Sequence, residues 1–165
     1  MATPTPHSTD SLPAFDSSEQ EVYLQLWRCY DRLKAIEDEL FNRHDLSAQQ
    51  YNALRLLEAA SPEGTPTMEL GRRLISRMPD TTRMLDRLEK RGLVKRQRLA
   101  DNRRVVEVMI TADGKKLLEK MSADVVAMHN RQLGHLGPQQ QQQLVKLLKL
   151  ARKPHEDNQC DWLEF

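Results

Sequence analysis

Apolar residues recur at Val22, Leu26, Cys29, Leu33, Ile36 and Leu40, in alternating steps of four and three. That spacing marks the seam of one long amphipathic helix from about Glu19 to Asn42, and Tyr23, Trp27 and Tyr30 widen it. Ser47 opens a second helix: Gln50 stands three residues on, as a capping box requires, and Leu46 is placed to staple against Tyr51. Leu54 and Leu57 continue its inner face. The stretch Ser61-Pro62-Glu63-Gly64-Thr65-Pro66 cannot be helical throughout, so Thr67 is expected to cap a short third helix carrying Met68, Leu70, Leu74 and Ile75. A turn around Ser76 to Met78 follows, and Pro79 suits the first turn of a fourth helix. Thr81, Met84, Leu85 and Leu88 form its apolar stripe, and Gly92 is its left-handed stop. The other face of this helix is polar, with Asp80, Arg83, Arg87 and Arg91 at steps of three or four.

After Gly92 the period shortens to two. Leu93 to Arg98 and Val105 to Ile110 read as strands, with Val106, Val108 and Ile110 on one face and Leu99-Ala100-Asp101-Asn102 as the turn between them. Thr111 then caps a long fifth helix with Leu118, Met121, Val125 and Met128 on one stripe. Gly137-Pro138 breaks it, and a sixth helix carries Leu144, Leu147, Leu148 and Ala151. Gln139 to Gln143 reads as the solvated first turn of that helix. The fold class is therefore mainly α, six helices with a small β-hairpin. Residues 1–18 hold ten Ser, Thr or Pro and two acids, the composition of a flexible arm, and 154–165 form an acidic tail.

A chain of 165 residues with 39% hydrophobic and 30% charged residues fits one ordinary folded domain. It lacks an apolar run of the roughly 20 residues that a membrane helix needs, and a cytoplasmic, membrane-free location is expected. Two distant cysteines, Cys29 and Cys160, and five scattered histidines predict neither a disulfide framework nor a metal site. Asp80 and Asp86 beside Arg83 lack a nearby nucleophile, second base or glycine loop, so neither an enzyme nor a cofactor is expected. The net charge of +1 conceals a segregation. Gly71 to Arg104 holds 12 Lys/Arg against 4 Asp/Glu, net +8, which leaves 13 against 20, net −7, elsewhere. A basic block in an acidic protein points to one surface that faces a polyanion.

A short helix, a turn, a second helix with outward arginines and a hairpin with arginines at its tip is the layout of a winged helix-turn-helix. Double-stranded DNA is the matching polyanion, because the major groove admits one helix and the narrow, negative minor groove attracts an arginine from the hairpin. On the recognition helix the candidate contacts are Arg77, Asp80, Thr82, Arg83 and Arg87. On the wing they are Arg96, Arg98, Asp101, Arg103 and Arg104. Arg is the usual bidentate partner of guanine, and Thr can donate to an acceptor or touch a thymine methyl.

The stretches Glu69-Leu70-Gly71-Arg72-Arg73-Leu74, Thr82-Arg83-Met84-Leu85-Asp86-Arg87-Leu88-Glu89-Lys90-Arg91-Gly92-Leu93-Val94 and Arg103-Arg104-Val105-Val106-Glu107-Val108-Met109-Ile110-Thr111 resemble the MarR family of bacterial transcriptional regulators. The order of helices from about Glu19 to Arg152 fits as well. The resemblance implies a homodimer in which residues 19–46 and 111–153 form the helical dimerisation region and 47–110 the DNA-binding domain. It also implies a wing arginine, Arg104, steadied by Asp101. A two-fold dimer sets its recognition helices about one DNA turn, ~34 Å, or a multiple of it apart, so a pseudo-palindromic operator is expected. The apolar seams of the first and sixth helices independently offer more hydrophobic face than one winged helix covers.

Family habit implies a repressor released by a small aromatic or phenolic effector, with Trp27, Tyr30, His44 and Tyr51 as the candidate pocket. The plainer reading of that aromatic row is core packing. Cys29 raises a redox-sensing alternative, but its place on the apolar seam favours a buried, inert thiol. The remaining alternative is a winged-helix interaction module without operator binding. The arginines on both helix and wing argue against it, since a surface that left DNA has no need of +8.

Overall fold

The structure is a computed structural model that describes residues 15–75, 81–98 and 105–156. The described residues form six helices and a three-stranded antiparallel sheet. In chain order these are α1 (Ser18–Asn42), α2 (Ala48–Ala59), β1 (Thr65–Pro66), α3 (Thr67–Arg73), α4 (Thr81–Lys90), β2 (Val94–Arg98), β3 (Val106–Ile110), α5 (Ala112–Leu133) and α6 (Pro138–Arg152). A 3₁₀ turn, Lys153–His155, follows α6 directly, so the chain expected to leave as a tail at Pro154 continues into one more turn.

The chain divides into two compact units at Ala35 and Ile36, within α1. In the first unit every residue from 21 to 32 is exposed. The core packing expected of its seam and aromatic row is not found there: Trp27 is 61% exposed and Tyr30 60%, and Cys29 is exposed rather than buried. The physical reason is that the described residues of this unit supply one helical segment, and a single helix cannot bury its own apolar face. The Tyr23 and Trp27 rings meet one turn apart in a tilted contact, with centroids 6.1 Å from each other.

The second unit holds the core. Leu40 and Phe41 from the last turns of α1, Leu54 and Leu57 of α2, Leu70 of α3, Leu85 and Leu88 of α4, Val108 of β3 and Met121 of α5 are all buried in one cluster. Local signals fix its elements. The Ser47 hydroxyl accepts from the Gln50 amide at 3.2 Å, and the Gln50 side chain accepts from the Ser47 amide at 2.8 Å, closing the expected capping box. The Thr111 hydroxyl accepts from the Gly114 amide and donates to the Gly92 carbonyl, which ties the start of α5 to the end of α4. The Gly137 amide donates to Gln140 Oε1 at the start of α6.

Two further expectations are corrected. The sheet has a third strand: Thr65 pairs with Val108 and Pro66 with Glu107, giving the order β1-β3-β2. Thr67 does not cap α3, because its hydroxyl donates to the Val106 carbonyl and so pins the first residue of the helix to β3. None of the described helices is long and apolar enough to cross a membrane.

Candidate nucleic-acid interface

The interface is built on α4, whose two faces the sequence separates. Met84, Leu85 and Leu88 are buried, while Thr82, Arg83 and Arg87 are exposed on the opposite side. The helix ends in a Schellman motif. The Gly92 amide donates to the Glu89 carbonyl at 2.8 Å and the Leu93 amide to the Leu88 carbonyl at 3.0 Å, with Gly92 at φ 71°. Leu93 is buried beside this cap and Val94 starts β2, so the stop of α4 also sets the root of the wing.

β2 and β3 pair from Val94 opposite Ile110 to Arg98 opposite Val106. Along β2 the exposed residues include Lys95, Gln97 and Arg98, whereas Arg96 is on the face of buried Val94 and turns toward α4. Its guanidinium pairs with the Asp86 carboxylate, its Nε lies 3.2 Å from Glu89 Oε2, and its backbone amide donates to Glu89 Oε1 at 3.1 Å. Arg96, expected on the outward basic rim, is thus a brace between wing and recognition helix. Asp86 is the other end of that brace.

Thr82, Arg83 and Arg87 are displayed on one helix, and Arg98 is exposed on the neighbouring strand. Arg77 and Asp80, and likewise Asp101, Arg103 and Arg104, lie outside the described residues. Beside α4, a groove of about 310 Å³ is lined by Pro66, Thr67, Met68, Thr82, Arg96 and Val106, and Met68 is 75% exposed at its edge. Its exposure departs from the sequence pattern, in which Met68 reads as part of the α3 core stripe. Leu70 and Leu74 are the buried members of that stripe, and Ile75, like Met68, points out.

The four residues proposed to hold an effector are distributed over the two units. Trp27 and Tyr30 belong to the first, where both are exposed. In the second, His44 is half-buried in the corner between α1 and α2, and the half-buried Tyr51 ring packs on Phe41 with centroids 4.8 Å apart. Burial pushes the Tyr51 phenol above its ordinary range; Arg55 opposes that shift and Glu58 adds to it.

Comparison with known proteins agrees with this architecture. The MarR family model matches residues 46–106, from the end of the α1–α2 corner to the start of β3. The chain is similar to a MarR transcription factor from Planctomyces limnophilus of known crystal structure, at 52% identity, covering 83% of this chain and 99% of that one with a TM-score of 0.66. It is 30% identical over 118 residues to the HTH-type transcriptional regulator YhbI of Bacillus subtilis, covering 72% of this chain and 75% of that protein. In fold it also matches Sco3205, a MarR family transcriptional regulator from Streptomyces coelicolor solved in complex with DNA. The TM-score there is 0.78 at 22% identity, over 93% of this chain and 98% of the other. With the helix-turn-helix, its wing and a 52% identical relative pointing the same way, the chain belongs to the MarR family.

Proposed function

We propose that this protein is a transcription regulator that binds double-stranded DNA sequence-specifically as a homodimer and acts as a repressor on a pseudo-palindromic operator. The observation that carries the reading is the display of Thr82, Arg83 and Arg87 on the outer face of α4, backed by a buried stripe and held to a basic wing. Thr82 and Arg83 are assigned to base edges and Arg87 to phosphate. Arg98, Arg103 and Arg104 are assigned to the wing's approach to the minor groove, with Asp101 steadying Arg104. Arg77 and Asp80 are assigned to the entry of the recognition helix. The DNA complex of the similarly folded Sco3205 supports a nucleic-acid role for this fold. Residues 19–46 and 111–153 serve dimerisation and 47–110 DNA binding.

The test is affinity for a duplex selected from a random pool, measured from low to moderate salt. Each phosphate neutralised adds about 0.9 to the log–log salt slope, so a steep dependence with a large preference over random sequence is expected. Arg83→Ala should cost about 1–3 kcal/mol at one base-pair position and leave the other positions unchanged. A flat salt dependence, or equal affinity for random sequence, overturns the reading in favour of an interaction module. Release of the repressor by a small aromatic or phenolic effector completes the proposal. Titrating aromatic acids against the same complex should dissociate it, whereas release by peroxide that Cys29→Ser abolishes would establish redox sensing instead.

A further inference from the structure

Arg91 belongs by sequence to the outward basic stripe of the recognition helix, at step four from Arg87. Its side chain goes elsewhere. The Schellman stop at Gly92 makes Arg91 the last residue of α4's cap, and from there its guanidinium reaches 46 and 47 positions back along the chain. Nη1 donates to the Asp45 carbonyl and Nη2 donates to the His44 carbonyl at 3.1 Å. These two carbonyls form the corner between α1 and α2. The corner is a tight reversal in which the amides of Arg43, His44 and Asp45 bond back to Leu40, Phe41 and Asn42, with Asp45 left-handed at φ 51°. A non-glycine residue at positive φ is uncommon, although Asp tolerates it, and such a corner keeps its shape only when its surroundings over-determine it. A charged fork donating to two adjacent carbonyls is one such determinant.

We propose that Arg91 is a positioning residue that couples the α1–α2 corner to the recognition helix, rather than a phosphate contact. This rests on the DNA-binding reading above. Because the guanidinium is anchored at the C-terminal cap of α4, a change in the corner that withdraws either carbonyl removes a restraint on that end of the helix. By linkage, DNA that fixes α4 must in turn quiet the corner by the same free energy. The corner also carries His44, and it opens directly into the Ser47 cap of α2, so both helices that meet there are tied through one side chain to the DNA-facing element.

The test compares wild type, Arg91→Ala and Arg91→Lys on a duplex selected by the wild type, reading affinity, its salt slope and hydrogen exchange of the backbone amides from Arg43 to Ser47. Wild-type exchange at the corner should slow when the duplex binds. Both variants should lose that slowing and bind about tenfold more weakly, within the range typical of site-to-site coupling, with an unchanged salt slope. Lysine keeps the charge but cannot fork across two carbonyls, so it should fail to rescue; its retained charge also covers the case in which the alanine variant does not fold. A slope reduced by about 0.9 in Arg91→Ala and restored in Arg91→Lys would make Arg91 a phosphate contact and overturn the proposal. So would corner exchange that does not respond to DNA in the wild type, or that responds equally in the variants. A wild type that binds no selected duplex overturns the regulator reading itself, whereas a binding wild type with indifferent variants overturns only the coupling.

Discussion

Tyr51 shows how one half-buried group ties stability to pH. Its ring lies on Phe41 and burial raises its pKa above the ordinary value of 10.0, so the folded state favours the neutral phenol. For a group whose folded pKa is raised, the stabilisation is complete below the unfolded pKa and is lost as pH climbs through the folded one. Melting temperature should therefore fall above about pH 10 in the wild type, and fall less in Tyr51→Phe, which keeps the ring and removes the titrating hydroxyl. Equal alkaline losses in the two proteins would show that Tyr51 does not contribute. The arginines teach a second lesson at this scale. Charge counting placed Arg83, Arg87, Arg91, Arg96 and Arg98 on one basic surface, yet Arg96 braces Asp86 and Glu89 and Arg91 holds two corner carbonyls. For Arg96 the signal was present, since strand alternation sets it on the face of Val94. For Arg91 it was absent, because its partners stand more than forty residues away and nothing in the sequence marks a carbonyl as an acceptor in want of a donor.

Among the elements, those announced by local chemistry were legible in the sequence. The Ser47–Gln50 box, the Thr111 cap and the Gly92 stop all rest on interactions within five residues. β1 was not, because two residues have no periodicity and a strand that short exists only through its ladder to β3. Two glycines at the junction of α4, the wing and α5 make the difference measurable. Gly92 has φ 71°, and a Cβ there would meet nothing within 4 Å among the described residues, so Gly92→Ala should cost only the left-handed backbone penalty of about 1–2 kcal/mol. Gly114 is required for space instead. A Cβ there would run into the Leu93 carbonyl oxygen and lie 2.7 Å from Ile110 Cγ1, and the carbonyl cannot give because it also accepts from the Thr111 amide at 3.1 Å. Gly114→Ala should therefore be the more destabilising of the two, by thermal or denaturant melts. The reverse order would mean that α5 can slide along the wing root without cost.

For the molecule as a whole, the question is what covers its apolar faces. Val22 (58% exposed), Leu26 (40%), Trp27 and Tyr30 lie open in the first unit. α6, described throughout, buries none of its residues, and Leu147 (56%), Leu148 (40%) and Leu150 (69%) face solvent. Scattered apolar side chains on a surface are ordinary, but here they follow the seams that the sequence spaces at helical period, and a soluble monomer rarely exposes such contiguous stripes. A second copy of the chain presents the same stripes, so each stripe can be covered in an isologous two-fold interface. That symmetry also supplies the two recognition helices that a pseudo-palindrome needs. The wild type should therefore sediment as a dimer at micromolar concentration. Paired substitution of Leu147→Glu and Leu148→Glu should yield monomers, since it would bury like charges across the two-fold axis. Because α6 contributes nothing to the buried core of its own chain, these monomers should keep the wild-type circular dichroism and a folded winged helix. They should bind a half-site and the full operator with nearly equal affinity, whereas the dimer should strongly prefer the full site. A monomeric wild type, or a double variant that stays dimeric and keeps that preference, would remove α6 from the interface and leave its leucine stripe to some other partner.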